Sequence, residues 1–204
     1  MANARGEEIK FYQIKDEVRI LGLDDAPFEF KPGANAMIVG VVMRGGMWID
    51  GIMRSEVEVD GIDSTLRVAE LIEKSKFKDV RVIMLDGLGF AGFNLVDMDE
   101  LFKKTNLPVI AVVRKMPDYE GIAAAIKNLP HKEFYEKCIK IAGKPRKVET
   151  KPGKHIYIQY KGISFENAKK IVQLASTRSN IPEPLRLAHL IASGISLGES
   201  RGGA

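Results

Sequence analysis

Cysteine, histidine, tryptophan and long apolar runs are all scarce in this chain. The one cysteine, Cys138, excludes a disulfide framework within the chain and fits a reducing compartment. Its setting, Phe134-Tyr135-Glu136-Lys137-Cys138-Ile139, reads as a helix interior with no base residue beside it, so a catalytic thiol is not expected. Three histidines and one cysteine do not easily assemble a zinc site of nitrogen and sulfur ligands. No apolar run reaches the length of a membrane helix, and the start Met-Ala-Asn-Ala-Arg-Gly-Glu-Glu is too polar for a signal peptide. The expectation is a cytoplasmic protein with no membrane partner.

What is present is ordinary globular material. At 204 residues the chain is long enough for one well-buried domain, taken here as 1–204. Hydrophobic residues at 45% and charged residues at 28% argue against wholesale disorder. A net charge of +4 mildly favours a polyanionic partner. The basic residues thicken over Lys140, Lys144, Arg146, Lys147, Lys151, Lys154 and Lys161, which reads either as a solvated loop flanking a strand or as a phosphate-contacting rim.

The order of elements narrows the fold. Val18 to Asp24 reads as a short strand, bounded by Pro27 and Pro32-Gly33. Ala36 to Arg44 is a nearly all-apolar second strand, and Gly45-Gly46 signals a hairpin returning through Met47 to Val57. A helix follows from Ser64 to Lys74, with Asp63 or Ser64 as its cap. Val80 to Leu85 is a strand, Leu95 to Lys104 a helix and Leu107 to Val113 a buried strand. The tail reads as helices over Glu133–Ala142, Phe165–Thr177 and Leu185–Ile195, with His155 to Tyr160 an edge or fifth strand and Gly202-Gly203-Ala204 fraying. A three-strand antiparallel meander feeding αβαβ and C-terminal helices describes a ribonuclease H-like mixed sheet, not a uniformly parallel doubly wound fold.

In that architecture the tips of the first and fourth strands are neighbours, and here they carry Asp24 and Asp86. Open α/β sheets place their chemistry at such tips, because helices cover both faces. Either aspartate alone is equally well read as a turn former. Together they repel unless a cation neutralises them, and hard oxygen donors select Mg²⁺ or Mn²⁺. Such a centre cleaves phosphodiesters. Asp63 is the third candidate ligand, with helix capping as its competing role. Asp60 reads as the first half of an Asp-Gly turn, and Asp25 and Asp97 are further candidates.

Two other motifs compete. Gly87-Leu88-Gly89-Phe90-Ala91-Gly92 matches GxGxxG, the dinucleotide fingerprint. It sits on a middle strand, however, and Arg114 occupies the place of the acidic residue expected after the next strand. Asp86 also sets a carboxylate against the would-be pyrophosphate. Trp48, at a hairpin tip with Arg44, is placed to stack on an unpaired base or to fill the core; the core is the favoured expectation.

These residues also resemble a known family. Asp86-Gly87-Leu88-Gly89-Phe90-Ala91 and then Leu107 to Arg114 resemble the endonuclease V block in which a catalytic Asp begins DGxGxAHPR and a Lys closes the next strand. Leu21-Gly22-Leu23-Asp24 is similar to that family's first-strand G-x-D. The blocks LGLDD, VGVVMRGG, DGID, MLDG, GFAGFN and IPEPLRLAHLIASG resemble still more closely its largely archaeal sister group, endonuclease dU. The resemblance implies a ribonuclease H-like, Mg²⁺-dependent nuclease acting at altered bases, deoxyuridine or deoxyinosine among them. It makes Asp24 and Asp86 metal ligands and sets Arg114 near the cleaved phosphate. The Pro-Tyr-Ile-Pro wedge of endonuclease V is absent, and Asp63 is the positional stand-in for the Glu that follows it. No histidine in Tyr157–Gly162 matches the one that supports a second metal there. Gly92-Phe93-Asn94 replaces His-Pro-Arg.

The resulting expectation is a Mg²⁺- or Mn²⁺-dependent endonuclease that nicks DNA, in preference to RNA, near deaminated bases. Asp24, Asp86 and Asp63 would bind the metal, while Arg114 and the Lys140–Lys161 cluster would steer phosphates. The alternative is a non-catalytic nucleic-acid-binding protein on the same fold, with a dinucleotide oxidoreductase as a third reading.

Overall fold

Residues 8–31, 33–127 and 129–201 are described in the computed structural model of the chain. Most of the polar N-terminal start, Pro32 and Gly202-Gly203-Ala204 lie outside them. The first strand, β1 (Arg19–Asp25), pairs antiparallel with β2 (Asn35–Arg44), and β2 with β3 (Trp48–Glu58). The β2–β3 link is the glycine hairpin, with Gly45 at φ +54°. After α1 (Ser64–Lys74) comes β4 (Val82–Asp86), parallel to β1. A small antiparallel ribbon, β5 (Gly89–Phe90) and β6 (Asn94–Leu95), leads into α2 (Met98–Thr105) and then β7 (Val109–Val113), parallel to β4.

The rest of the chain extends this core. Helices α3 (Tyr119–Ile126) and α4 (Lys132–Ala142) precede the hairpin of β8 (Arg146–Lys151) and β9 (Lys154–Lys161). Helices α5 (Phe165–Ala175) and α6 (Glu183–Leu197) follow. The seven-stranded order is β3-β2-β1-β4-β7-β9-β8, the ribonuclease H-like mixed sheet that the element order predicts. Among the described residues, no helix is long and apolar enough to cross a membrane.

Strand alternation sorts the core into two layers. Leu21, Leu23, Ile83, Leu85, Val109 and Ala111 pack toward α1 and α2. Ile20, Val82, Met84, Ile110 and Val112 pack toward α5 and the start of α6. Helix α6 lies against β1 so closely that a Cβ on Gly22 would sit 2.4 Å from the Pro184 carbonyl carbon. Gly22→Ala must lift α6 off the sheet, an overpacking cost of about 1–3 kcal/mol, read as a lower urea midpoint at unchanged slope.

Some elements depart from expectation. The second helix begins at Met98, not Leu95, because the Asp97 carboxylate caps it, accepting from the Asp99 and Glu100 amides at 3.1 and 2.9 Å. Strand β9 is interior; the edge is β8, whose residues are mostly polar. Trp48 is not in the core: it is 60% exposed, at the end of β3 opposite Arg44, and Arg44 in turn lies opposite Arg19 at the start of β1. It therefore sits at the far end of the sheet from Asp24 and Asp86.

Candidate active site

Parallel pairing sets Leu23 opposite Leu85, so the next residues along the two strands, Asp24 and Asp86, stand side by side at their tips. Both project toward the α6 face, in step with Gly22 and Met84. Asp24 is 5% exposed. Burial, then the Asp86 and Asp25 carboxylates, push its carboxyl up to about 9. Asp25 is raised as well, chiefly by burial.

Each acidic group has protein partners. Asp24 Oδ1 accepts from the Asp25 amide at 2.9 Å, and its Oδ2 lies 2.9 Å from His189 Nδ1. Asp25 Oδ2 accepts from the Ala91 amide at 2.7 Å, tying β1 to the glycine ribbon. Asp86 is gripped by Arg114, with Nη2 donating to Oδ2 at 3.1 Å and Nη1 to Oδ1 at 3.4 Å. Arg114 thus reaches the tip of β4 from the end of β7.

Asp63 lies outside this group. Its Oδ1 accepts from Asn94 Nδ2 at 2.7 Å and from the Glu58 amide at 3.2 Å, and its Oδ2 accepts from Arg67 Nε at 3.0 Å. It makes no side-chain cap bond to α1 either; Asn94 Oδ1 accepts from the Ser64 amide at 2.9 Å instead. Asp60 is a strained turn residue at φ +54° whose carboxylate accepts from the Phe93 amide at 2.8 Å. Asp97 is committed to capping α2 and to an ion pair with Lys137 at 2.9 Å. The lysine-rich run is not one rim. Arg146 stacks on Phe165, Lys161 pairs with Asp99 at 3.0 Å, and Lys151 donates to the Thr177 carbonyl at 2.8 Å.

His189 is the residue that the sequence reading missed. It stands on α6 beside the buried stripe of Leu185, Ala188 and Ala192, far along the chain from Asp24. The available signal was a lone histidine next to an apolar helical stripe. Its Nε2 is buried with no hydrogen-bond partner among the described residues.

The donor chemistry of Asp24, Asp25, Asp86 and His189 fits a hard divalent cation, and the raised Asp24 marks a carboxylate cluster short of positive charge. The cluster is not a preformed cage: among the described residues, no three His, Cys, Asp or Glu side chains are set to hold a metal ion as they stand. Among the described residues, Arg114 is the cation paired with Asp86.

A central sheet of this strand order, with carboxylates on the tips of its first and fourth strands, places the protein in the ribonuclease H-like class of nuclease folds. The chain belongs to the endonuclease dU family, whose sequence model, described as Endonuclease dU, matches residues 16–196. The UPF0215 protein of Methanosarcina acetivorans is 50% identical over 195 residues, covering 95% of this chain and 98% of that one. A crystal structure of a protein of unknown function from Archaeoglobus fulgidus is 35% identical with a TM-score of 0.78, covering 87% of this chain and 97% of that one. Ciona intestinalis endonuclease V, crystallised with a 24mer DNA containing an inosine followed by a ribo-adenosine, has a TM-score of 0.56 at 20% identity. That alignment covers 88% of this chain and 85% of the Ciona chain and is a likeness of fold.

Proposed function

We propose that the chain is a divalent-metal-dependent endonuclease that nicks DNA beside deaminated bases. The observation that carries this reading is the Asp24–Asp86 pair on adjacent parallel strand tips, with Asp24 held up to about 9 by burial and by its acidic neighbours. Two carboxyl groups crowded at neighbouring strand tips destabilise a fold and are maintained where a cation offsets their repulsion. Membership of the endonuclease dU family and the DNA-bound state of the Ciona structure support the same substrate class.

Asp24 and Asp86 would hold the ion, with Asp25 and His189 as the nearest further donors in place of Asp63. A bound Mg²⁺ or Mn²⁺ supplies an acidified water and charge stabilisation at the leaving oxygen. The chain's own residues do the rest. His189 fixes the Asp24 carboxyl through Nδ1, and Asp25 anchors the Ala91 turn beside the site. Arg114, long and planar, exchanges its fork from Asp86 to a phosphate.

The test is to incubate the protein with duplexes carrying uracil or hypoxanthine, in Mg²⁺, in Mn²⁺ or in EDTA. Nicking confined to the altered duplexes and to the metal-containing reactions is the expected result. Tight duplex binding with no cleavage under any divalent ion would favour a non-catalytic binding protein instead.

A further inference from the structure

A second feature lies at the carboxylates' end of the sheet. The C-terminal ends of β4 and β7 frame a cavity of about 210 Å³, lined by Leu88, Phe93, Val113, Tyr119, Ile122 and Gln159. Leu88 follows Asp86 by two residues and Val113 directly precedes Arg114, so the cavity lies at the same end of the sheet as the candidate site; Gln159, paired with Ala111, sets it on the α1–α2 face, across the strand tips from Asp24 and Asp86. Drug-sized pockets run to about 300–1,000 Å³, so this space suits a planar heterocycle better than a whole nucleotide. Its walls are apolar and aromatic, apart from the Gln159 side-chain amide and the Tyr119 hydroxyl.

That amide is placed with care. Gln159 is 4% exposed on interior strand β9, opposite Ala111. Its Nε2 donates to the Gly143 carbonyl at 2.6 Å. A carbonyl can only accept, so this bond fixes which end of the amide is which. Oε1 is left as the free end: among the described residues it accepts no protein hydrogen bond, and it is not among the sealed polar atoms. The cavity therefore offers a buried acceptor of fixed orientation among mainly hydrophobic walls.

An acceptor in such a place reads a ring N–H. Cytosine N3 and adenine N1 carry lone pairs and would face Oε1 acceptor to acceptor. Deamination converts those atoms to N–H, in uracil and in hypoxanthine. We infer that Gln159 is the specificity-determining residue of this cavity, its Oε1 accepting the ring N–H that deamination creates on an extruded base. Thymine and guanine share that N–H, and the cost of unpairing selects against them, since extrusion is cheapest for a mispaired base. This rests on the endonuclease reading above.

The test compares single-turnover nicking in Mn²⁺ of duplexes bearing uracil, N3-methyluracil or cytosine opposite cytosine, so that all three bases are mispaired and differ only at the ring nitrogen and its neighbours. Wild type is expected to favour uracil over each of the others by about tenfold or more, the worth of a buried hydrogen bond. In Gln159→Met, which keeps length and removes the acceptor, those ratios collapse toward one. Loss of folding would lower all three rates together and leave the ratios alone, and the N3-methyluracil comparison needs no variant. An unchanged uracil preference in Gln159→Met, or a wild type indifferent to N3-methylation, overturns the assignment while leaving the endonuclease reading intact. A wild type that nicks none of the three overturns both.

Discussion

Asp24→Asn is expected to make the metal-free protein more stable at neutral pH while removing at least about 10³-fold of its nicking rate, some 4 kcal/mol of barrier. The stability gain follows from where the charge sits. Asp24 is buried beside Asp86 and Asp25, which push its carboxyl up to about 9 in the folded chain from the ordinary 3.8. At neutral pH the unfolded carboxyl is ionised and the folded one is protonated, so folding takes up a proton. A group raised in this way contributes fully below about pH 4 and loses that contribution as pH rises toward 9. At pH 7 the loss is bounded by 1.36 kcal/mol for each of about three pH units, or up to about 4 kcal/mol. Asparagine keeps the shape and never ionises. Urea unfolding in EDTA should show Asp24→Asn ahead of wild type at pH 7 and further ahead at pH 8.5, with the two converging near pH 4. A variant less stable than wild type at pH 7 would mean that Asp24 is ionised there and that its hydrogen bonds with the Asp25 amide and His189 outweigh burial. Divalent ions should raise the melting temperature of wild type and leave Asp24→Asn nearly unmoved.

How much of this was visible beforehand depended on whether the governing contacts were local. The AMIVGVVMR strand and its Gly45-Gly46 turn are written in periodicity and turn chemistry, and so is α1, whose bounds are the expected ones. The pairing of Asp24 with Asp86 followed from topology, since the ribonuclease H-like order sets β1 beside a parallel β4. Strand β8 was hidden because RKVETK has a single buried residue, Val148, and owes its conformation to its pairing with β9. Asp63 looked like a ligand or a cap by its position along the chain. Its fate is set instead by Asn94, which reaches it from the glycine ribbon at a separation of 31 residues. His189 is the same problem at a separation of 165 residues. Trp48 misled because large aromatic residues usually bury, while an edge strand leaves one side with nothing to pack against.

Arg114→Gln should move two properties in opposite directions, tightening divalent-ion binding while slowing nicking by about 10²-fold. In the structure the guanidinium spans both Asp86 oxygens, the same oxygens a cation would need. Any ion entering must first displace a positive charge from that carboxylate, so the pair acts as a competitor for the metal. Partly exposed ion pairs of this kind are worth about 0.2–1 kcal/mol, so their removal should improve Mn²⁺ affinity by about 1.4- to fivefold in a calorimetric titration. The rate moves the other way, because an amide cannot clamp a phosphate through two charge-assisted bonds. Arg114→Lys separates the two roles. It keeps a positive charge near Asp86 and loses the fork, so its Mn²⁺ affinity should stay near wild type while its rate falls between those of wild type and Arg114→Gln. Weaker Mn²⁺ binding in Arg114→Gln would show that the arginine helps to build the ion site instead of closing it. An unaltered rate would remove Arg114 from the reaction and leave it as a brace between β4 and β7.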